Sequence, residues 1–213
     1  DMPGDVFKIG MLGSVENIAT IAEIVSDYPD IPVVLDPVLS SGRGDELASE
    51  DMILAMRELL LPQTTIITPN SIEARRLVQD ETEDSEGLDL GQCGERILHM
   101  GCEYVLITGA HENTRQVTNT LYTGSGIVRS DVWQRLTGSY HGSGCTLASA
   151  IAATIANGLS VSDGVYEAQE YTWQALKSGF HPGMGQYIPD RLFWAHNEHD
   201  SKEEDELDVA SKD

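Results

Sequence analysis

Short apolar segments alternate with helical segments through the first half of the chain, and this alternation limits the fold more than any other feature. The segments between the apolar runs show helical spacing and begin at good N-cap residues, Ser14 and Ser49 among them. Strands that alternate with helices predict an α/β fold with a mainly parallel central sheet flanked by helices. The predicted strands are residues 6–9, 31–35, 65–68 and 104–108.

The pattern changes after residue 115. Residues 117–123 and 127–133 alternate in polarity and are joined by Gly124-Ser125-Gly126, which predicts a β-hairpin. A glycine-rich turn, Gly142-Ser143-Gly144-Cys145, then leads into an apolar helix. A helix start leaves backbone amides unpaired at the positive end of the helix dipole, so this turn favours an anion such as phosphate. The alternative is an ordinary glycine turn before a buried helix, with Cys145 as a small core residue.

The composition restricts the classes of partner. A formal net charge of -22 over 213 residues argues against nucleic acid and anionic membranes, but not against a nucleotide bound with Mg²⁺. The chain has no apolar run of about 18 residues and no signal-peptide pattern, which predicts a cytoplasmic protein. Its three widely spaced cysteines predict neither a disulfide framework nor a zinc site.

The chain is predicted to form one domain followed by a tail. Residues 198–213 contain eight acidic residues and two lysines, too polar a composition to build a core. We therefore expect a domain over residues 1–195 and an acidic, disordered tail over residues 196–213.

Polar residues stand at the carboxyl ends of three predicted strands, which share one edge in a parallel sheet. Oxygen ligands that face a helix start would suit Mg²⁺ and nucleotide phosphates, as in phosphoryl transfer. Each residue also has a structural interpretation: a capping box, a turn before proline, or a strand end. The three features are Asn70 with Glu73, then Asp36, then Thr108-Gly109.

Four motifs occur in a specific order: Lys8-Ile9-Gly10-Met11-Leu12-Gly13, Val33-Val34-Leu35-Asp36-Pro37-Val38, Ile67-Thr68-Pro69-Asn70-x-x-Glu73-Ala74 and His141-Gly142-Ser143-Gly144-Cys145-Thr146-Leu147. Together they resemble the bacterial hydroxymethylpyrimidine/phosphomethylpyrimidine kinases of the ribokinase superfamily, and the resemblance extends to about Pro189. It implies a ribokinase-like fold and a homodimer. It also implies ATP-dependent phosphorylation of 4-amino-5-hydroxymethyl-2-methylpyrimidine and of its monophosphate, in thiamine biosynthesis. Pyridoxal/pyridoxine kinase is the alternative enzyme, and a non-catalytic pyrimidine- or nucleotide-binding fragment is the alternative of another class.

The resemblance implies a role for each site residue. Asp36, Thr108 and Gly109 would lie near the phosphates of ATP, while Asn70 and Glu73 would hold Mg²⁺ through water. Met11 and Val38 would line the pyrimidine pocket. The anion hole would consist of Gly142, Ser143 and Gly144, with Cys145 as the base, and the helix start is expected to lower the pKa of its thiol.

Two departures from the family accompany the resemblance. The family usually has a lysine where Thr108 precedes Gly109-Ala110-His111, so a charge is absent there. A complete member also begins with a glycine-rich strand and loop, whereas this sequence starts just ahead of the Lys8 motif. We expect that segment to precede the sequence given or to be absent from a natural fragment.

Overall fold

Six strands form one sheet in chain order in the computed structural model, which describes residues 4–41, 44–79 and 88–195. The first four strands pair in parallel, and the last two continue the sheet as an antiparallel hairpin. The predicted mainly parallel sheet and its hairpin are therefore confirmed. The strands are β1 (Phe7–Ile9), β2 (Val33–Leu35), β3 (Ile66–Ile67), β4 (Tyr104–Thr108), β5 (Gln116–Thr123) and β6 (Gly126–Gln134).

Helices connect the strands, and their starts follow the capping residues in the sequence. Ser14 and Ser49 each accept a hydrogen bond from an amide in the first turn, as predicted. One predicted helix is irregular: α2 changes to a π-helical turn over Met56–Leu60 and a 3-10 turn over Leu61–Gln63, because Pro62 has no amide to donate. The helices are α1 (Val15–Ser26), α2 (Glu50–Ala55), α3 (Ser71–Leu77), α4 (Leu90–His99), α5 (Ser143–Ala156) and α6 (Val161–Lys177).

Two hydrophobic clusters cover the two faces of the sheet. In β2, Val33 and Leu35 belong to the cluster that includes residues of α1 to α4, while Val34 belongs to the cluster with α5 and α6. Successive side chains of a strand point to opposite faces, so a strand covered on both sides must be apolar throughout. This requirement explains the continuous apolar run that predicted β2.

The carboxyl ends of β1 to β4 lie at one edge of the sheet because these strands are parallel. Asp36, which follows β2, is therefore brought beside the start of α5, a helix that contacts both β1 and β2. Within the described residues, no helix is long and apolar enough to cross a bilayer. The acidic segment at residues 80–87 and the tail at 196–213 lie outside the described residues.

The double-sided core predicts a large effect of truncation in β4. Leu106 is fully buried in the cluster shared with α5, so we expect Leu106→Ala to lower the free energy of unfolding by about 2–5 kcal/mol. Leu54→Ala is the matched control, since Leu54 is half exposed on α2 and alanine favours helix, and it should change stability by less than about 0.5 kcal/mol. Urea denaturation of both variants tests this, and equal losses would contradict the assignment of Leu106 to the core.

Candidate functional site

The buried carboxylate of Asp36 lies at the end of β2, opposite the start of α5. Its Oδ2 makes no hydrogen bond within the described residues, and the Lys8 Nζ is 3.7 Å away. A Cβ placed on Gly144 would be 3.9 Å from Oδ1, so the α5 backbone passes beside the carboxylate. Burial raises the pKa of Asp36, although Lys8 and the Cys145 thiol oppose this shift. Asp36 thus places one carboxylate oxygen beside this helix start, while its other oxygen has no hydrogen-bond partner among the described residues.

Asn70 and Glu73 form the capping box of α3. The Asn70 Oδ1 accepts from the amides of Ile72 and Glu73, both at 2.9 Å, and the Glu73 Oε2 accepts from the Asn70 amide at 2.9 Å. The Glu73 Oε1 also accepts from the Leu39 amide at 3.3 Å. The capping interpretation of this pair is therefore confirmed.

The capping box does not remove Glu73 from the site. Its pKa is raised to about 7, because burial and, to a smaller extent, the neighbouring Asp36 charge outweigh the lowering effect of the Asn70 and Leu39 amides. Two buried acids thus influence each other across the ends of β2 and β3. Such a pair is a candidate place for a cation.

The start of α5 begins at a glycine turn. Gly142 adopts a left-handed conformation with φ of 83°, which favours glycine, and no side chain among the described residues caps the helix. The Thr146 amide bonds to the Gly142 carbonyl at 3.0 Å. The amides of Ser143, Gly144 and Cys145 come before that first helical bond, so they are the ones that a helix start leaves for a ligand.

The Cys145 thiol lies at this helix start and is exposed. Partial burial of the thiol, followed by the Asp36 carboxylate, raises its pKa, while Lys8 and Arg191 act in the opposite direction. The expectation that the helix start lowers the pKa of this thiol is therefore wrong, because burial of the thiol, together with the acid next to it, outweighs the two cations.

Thr108 and Gly109 lie beside the capping box but are held by the fold. Thr108 pairs with Asn70 in an isolated bridge, and its amide donates to the Pro69 carbonyl at 3.0 Å. The Gly109 amide donates to the Asn119 Oδ1 at 3.1 Å, and a Cβ on Gly109 would collide with the Thr118 carbonyl. The glycine is thus explained by close packing on β5, and its amide already has an acceptor.

The two residues assigned to the pyrimidine pocket lie in different surroundings. Met11 is 69% exposed and lines an apolar cavity of about 290 Å³ between β1 and α1. Val38 is half buried after β2 and does not line that cavity. The structure therefore does not place the two in one enclosed pocket, and their role stays a prediction.

Sequence reasoning missed one cation beside the helix start. The Arg191 Nε donates to the Thr146 Oγ1 at 3.1 Å, and its Nη2 would be 3.2 Å from a Cβ on Gly142. Arg191 is 45 residues from Thr146 in sequence, so no local spacing signals the contact. The one available signal was its position two residues after Pro189, where the resemblance to the family ends.

The acids present suit a hydrated Mg²⁺ better than a cation held by many protein ligands. Within residues 4–41, 44–79 and 88–195, no group of three or more His, Cys, Asp or Glu residues could hold a metal ion. Mg²⁺ usually keeps several waters and takes one or two carboxylates. The buried, unpartnered Asp36 Oδ2 and the nearby Glu73 carboxylate fit that requirement.

Comparisons with known proteins agree on a family. Residues 1–190 match the phosphomethylpyrimidine kinase family. The chain is 36% identical to the hydroxymethylpyrimidine/phosphomethylpyrimidine kinase of Escherichia coli, over 83% of this chain and 66% of that protein. It is 35% identical to the Mycobacterium tuberculosis enzyme of the same name, over 84% of this chain and 65% of that protein. The chain therefore spans slightly less than two thirds of the length of these relatives.

Solved structures share the fold. The pyridoxal kinase from Staphylococcus aureus in complex with pyridoxal has a TM-score of 0.78 and 27% identity, covering 89% of this chain and 68% of that one. The phosphomethylpyrimidine kinase from Clostridium difficile has a TM-score of 0.66 and 30% identity, covering 81% of this chain and 69% of that one. The predicted ribokinase-like fold is thus confirmed.

The exposure of the three thiols predicts selective labelling at the site. Cys93 and Cys102 are buried, whereas Cys145 is exposed, so the native protein should react with about one equivalent of a maleimide. Mass spectrometry should place the label on Cys145, and Cys145→Ser should abolish the fast reaction. Fast labelling of Cys93 or Cys102 in the native protein would contradict this arrangement of the helix start.

Proposed function

This chain belongs to the phosphomethylpyrimidine kinase family, and we propose that it transfers the γ-phosphoryl group of ATP to hydroxymethylpyrimidine. The substrate is 4-amino-5-hydroxymethyl-2-methylpyrimidine, followed by its monophosphate, in thiamine biosynthesis. The carrying observation is the uncapped start of α5 facing the buried carboxylate of Asp36. A site that binds transferring phosphate needs such donors opposite a place for a cation.

The proposed reaction assigns a task to each side of the helix start. The hydroxymethyl oxygen bonds to the γ-phosphorus as the bond between that phosphorus and the ADP oxygen breaks. The proton of the hydroxyl group passes to the Cys145 thiolate, which becomes a thiol. The amides of the Gly142-Ser143-Gly144 turn, followed by that of Cys145, stabilise the charge on the moving phosphoryl oxygens.

A raised pKa for Cys145 has a consequence for this assignment. Burial, together with the Asp36 charge, disfavours the thiolate before ligands bind. A cation held near Asp36 and Glu73 would offset the Asp36 part of this effect. Bound Mg²⁺ would neutralise charge on the phosphates, with Asp36 and Glu73 holding its waters and Asn70 fixing Glu73 through the capping box.

Met11 and Val38 remain the proposed pyrimidine contacts, and Thr108 and Gly109 remain the proposed neighbours of the nucleotide.

Nucleotide complexes of structural relatives support the use of ATP. One Staphylococcus aureus pyridoxal kinase structure is a complex with ADP, and another is a complex with AMP-PCP and pyridoxal. This chain shares the fold of both, with a TM-score of 0.78 in each case. A cytoplasmic homodimer, with no nucleic-acid or membrane partner, completes the proposal.

Loss of the proposed base should reduce turnover strongly. We expect Cys145→Ala to lower kcat at least about 100-fold, as removal of a general base does. Cys93→Ala is the matched control, because that thiol is buried in the cluster on the other face of the sheet and should leave kcat within about twofold. Steady-state phosphorylation of hydroxymethylpyrimidine measures both, and a Cys145→Ala enzyme within a few-fold of the parent would remove Cys145 from the base role.

Pyridoxal kinase is the second candidate, since pyridoxal kinases have TM-scores of 0.75 to 0.78 against 0.66 for the phosphomethylpyrimidine kinase from Clostridium difficile. Sequence favours the first candidate, with 36% identity to the Escherichia coli pyrimidine kinase against 27% to the Staphylococcus aureus pyridoxal kinase. We expect a higher kcat/KM for hydroxymethylpyrimidine than for pyridoxine and pyridoxal. The opposite order would favour the second candidate, and binding without turnover of any of them would favour the non-catalytic fragment.

A further inference from the structure

We propose that Arg191 contacts the terminal phosphate of the nucleotide at the start of α5, an inference that rests on the proposed function. Two observations place its guanidinium there: the Nε donates to the Thr146 Oγ1 at 3.1 Å, and the Nη2 is next to Gly142. Thr146 in turn donates through Oγ1 to the Gly142 carbonyl at 2.8 Å. The arginine is thus bonded to the first turn of the helix whose amides face the phosphate.

The guanidinium has donors left for a ligand. Among the described residues it makes one hydrogen bond, through Nε, and no ion pair. Within the part of the chain that the structure describes, neither Nη group has a protein acceptor, and the residue is exposed. A guanidinium presents parallel N–H donors that match phosphate oxygens. Arg191 and the amides at the start of α5 would therefore bind the same anion.

The backbone that carries Arg191 is fixed from both sides. The Asp190 amide donates to the Ala175 carbonyl at 2.8 Å, and the Tyr171 hydroxyl donates to the Arg191 carbonyl at 3.0 Å. Both partners belong to α6, which packs against α5. The position of the arginine is therefore set by the same helix pair that sets the anion hole, which favours a preorganised contact.

The neighbouring segment supports the same loop. Tyr187 pairs with Tyr140 in a bridge, and its carbonyl accepts from the His141 amide at 2.9 Å. Its amide donates to the Ser139 carbonyl at 2.8 Å. The chain that leads to Arg191 thus contacts the turn just before Gly142, so the arginine and the glycine turn are one connected unit.

Two cations then flank the phosphate from different elements. Lys8 comes from β1 and is 3.7 Å from Asp36, while Arg191 comes from the segment after α6. Lys8 forms an ion pair with the buried carboxylate of Asp36, whereas Arg191 faces no carboxylate at ion-pair distance within the described residues. Arg191 is therefore the cation with charge available for the γ-phosphate.

The test compares nucleotides that differ in the terminal phosphate. The protein is titrated in a calorimeter with AMP-PCP and with ADP, both with Mg²⁺. We expect Arg191→Ala to raise the Kd for AMP-PCP about tenfold or more and the Kd for ADP less than twofold. Arg191→Lys, which keeps the charge but loses the planar fork, should fall between parent and alanine variant. Arg96→Ala on α4 removes an equal charge from another element and should bind both nucleotides as the parent does.

A merely structural arginine would give a different result. If Arg191 only fastens the segment after α6, Arg191→Ala would lower the thermal midpoint and weaken both nucleotides equally, and the proposal would be wrong. Thr146→Val removes the acceptor of the Nε bond and keeps the charge, so we expect a smaller loss of AMP-PCP affinity than with Arg191→Ala. Equal AMP-PCP affinity of parent and Arg191→Ala would also overturn the inference.

The binding measurement separates this inference from the proposed function. A parent protein that discriminates AMP-PCP from ADP through Arg191 but phosphorylates no hydroxymethylpyrimidine would contradict the proposed function and leave the phosphate contact in place. A parent that phosphorylates the pyrimidine while Arg191→Ala keeps its kcat, its KM for ATP and its AMP-PCP affinity would contradict the arginine contact alone. Absence of binding of both nucleotides by the parent would overturn both.

Discussion

The buried carboxylate of Asp36 is the constraint around which the site is arranged. An acid that is 5% exposed, with one oxygen lacking a hydrogen-bond partner among the described residues, costs free energy unless a cation compensates it. Lys8 at 3.7 Å compensates in part, and the raised pKa of Asp36 shows that burial still dominates. Since parallel strands end at one edge, the same position also brings Asp36 beside Gly144 and within electrostatic range of Glu73. The cost of burying the Asp36 carboxylate and the proposed chemistry therefore have the same origin, which is the position of this acid at the end of β2.

The parts of the fold that depend on local sequence could be predicted. The apolar run around Val34 indicated a strand covered on both faces, and Ser14 and Asn70 marked helix starts that the structure confirms. The predicted strand at residues 65–68 was too long, because only Ile66–Ile67 pairs with both neighbours. Strand ends depend on pairing with distant residues, and no local pattern contains that information.

The same distinction applies to the candidate site, where residues in short motifs could be predicted and a contact between distant residues could not. The glycine turn and the acids were visible because each belongs to a short motif, and parallel topology implied that they would meet. Arg191 was not visible, since its contact with Thr146 is made across 45 residues through the packing of α5 on α6. The direction of the Cys145 pKa shift was wrong for a related reason: the helix start was considered alone, whereas burial of the thiol and the Asp36 carboxylate after β2 raise the pKa. Electrostatic effects require the whole set of neighbours.

The capping box of α3 shows that a structural role and a functional role need not exclude each other. Both Glu73 carboxylate oxygens accept backbone amides, which fixes the side chain in one orientation. Those amides lower the pKa of Glu73, yet burial outweighs them and the pKa is about 7. A nearby cation would therefore stabilise the ionised carboxylate. A cation that approached it would find an immobilised ligand and would lose little side-chain entropy. Because the cap has already ordered the acid, the same hydrogen bonds that start the helix also prepare Glu73 to hold the waters of a metal ion.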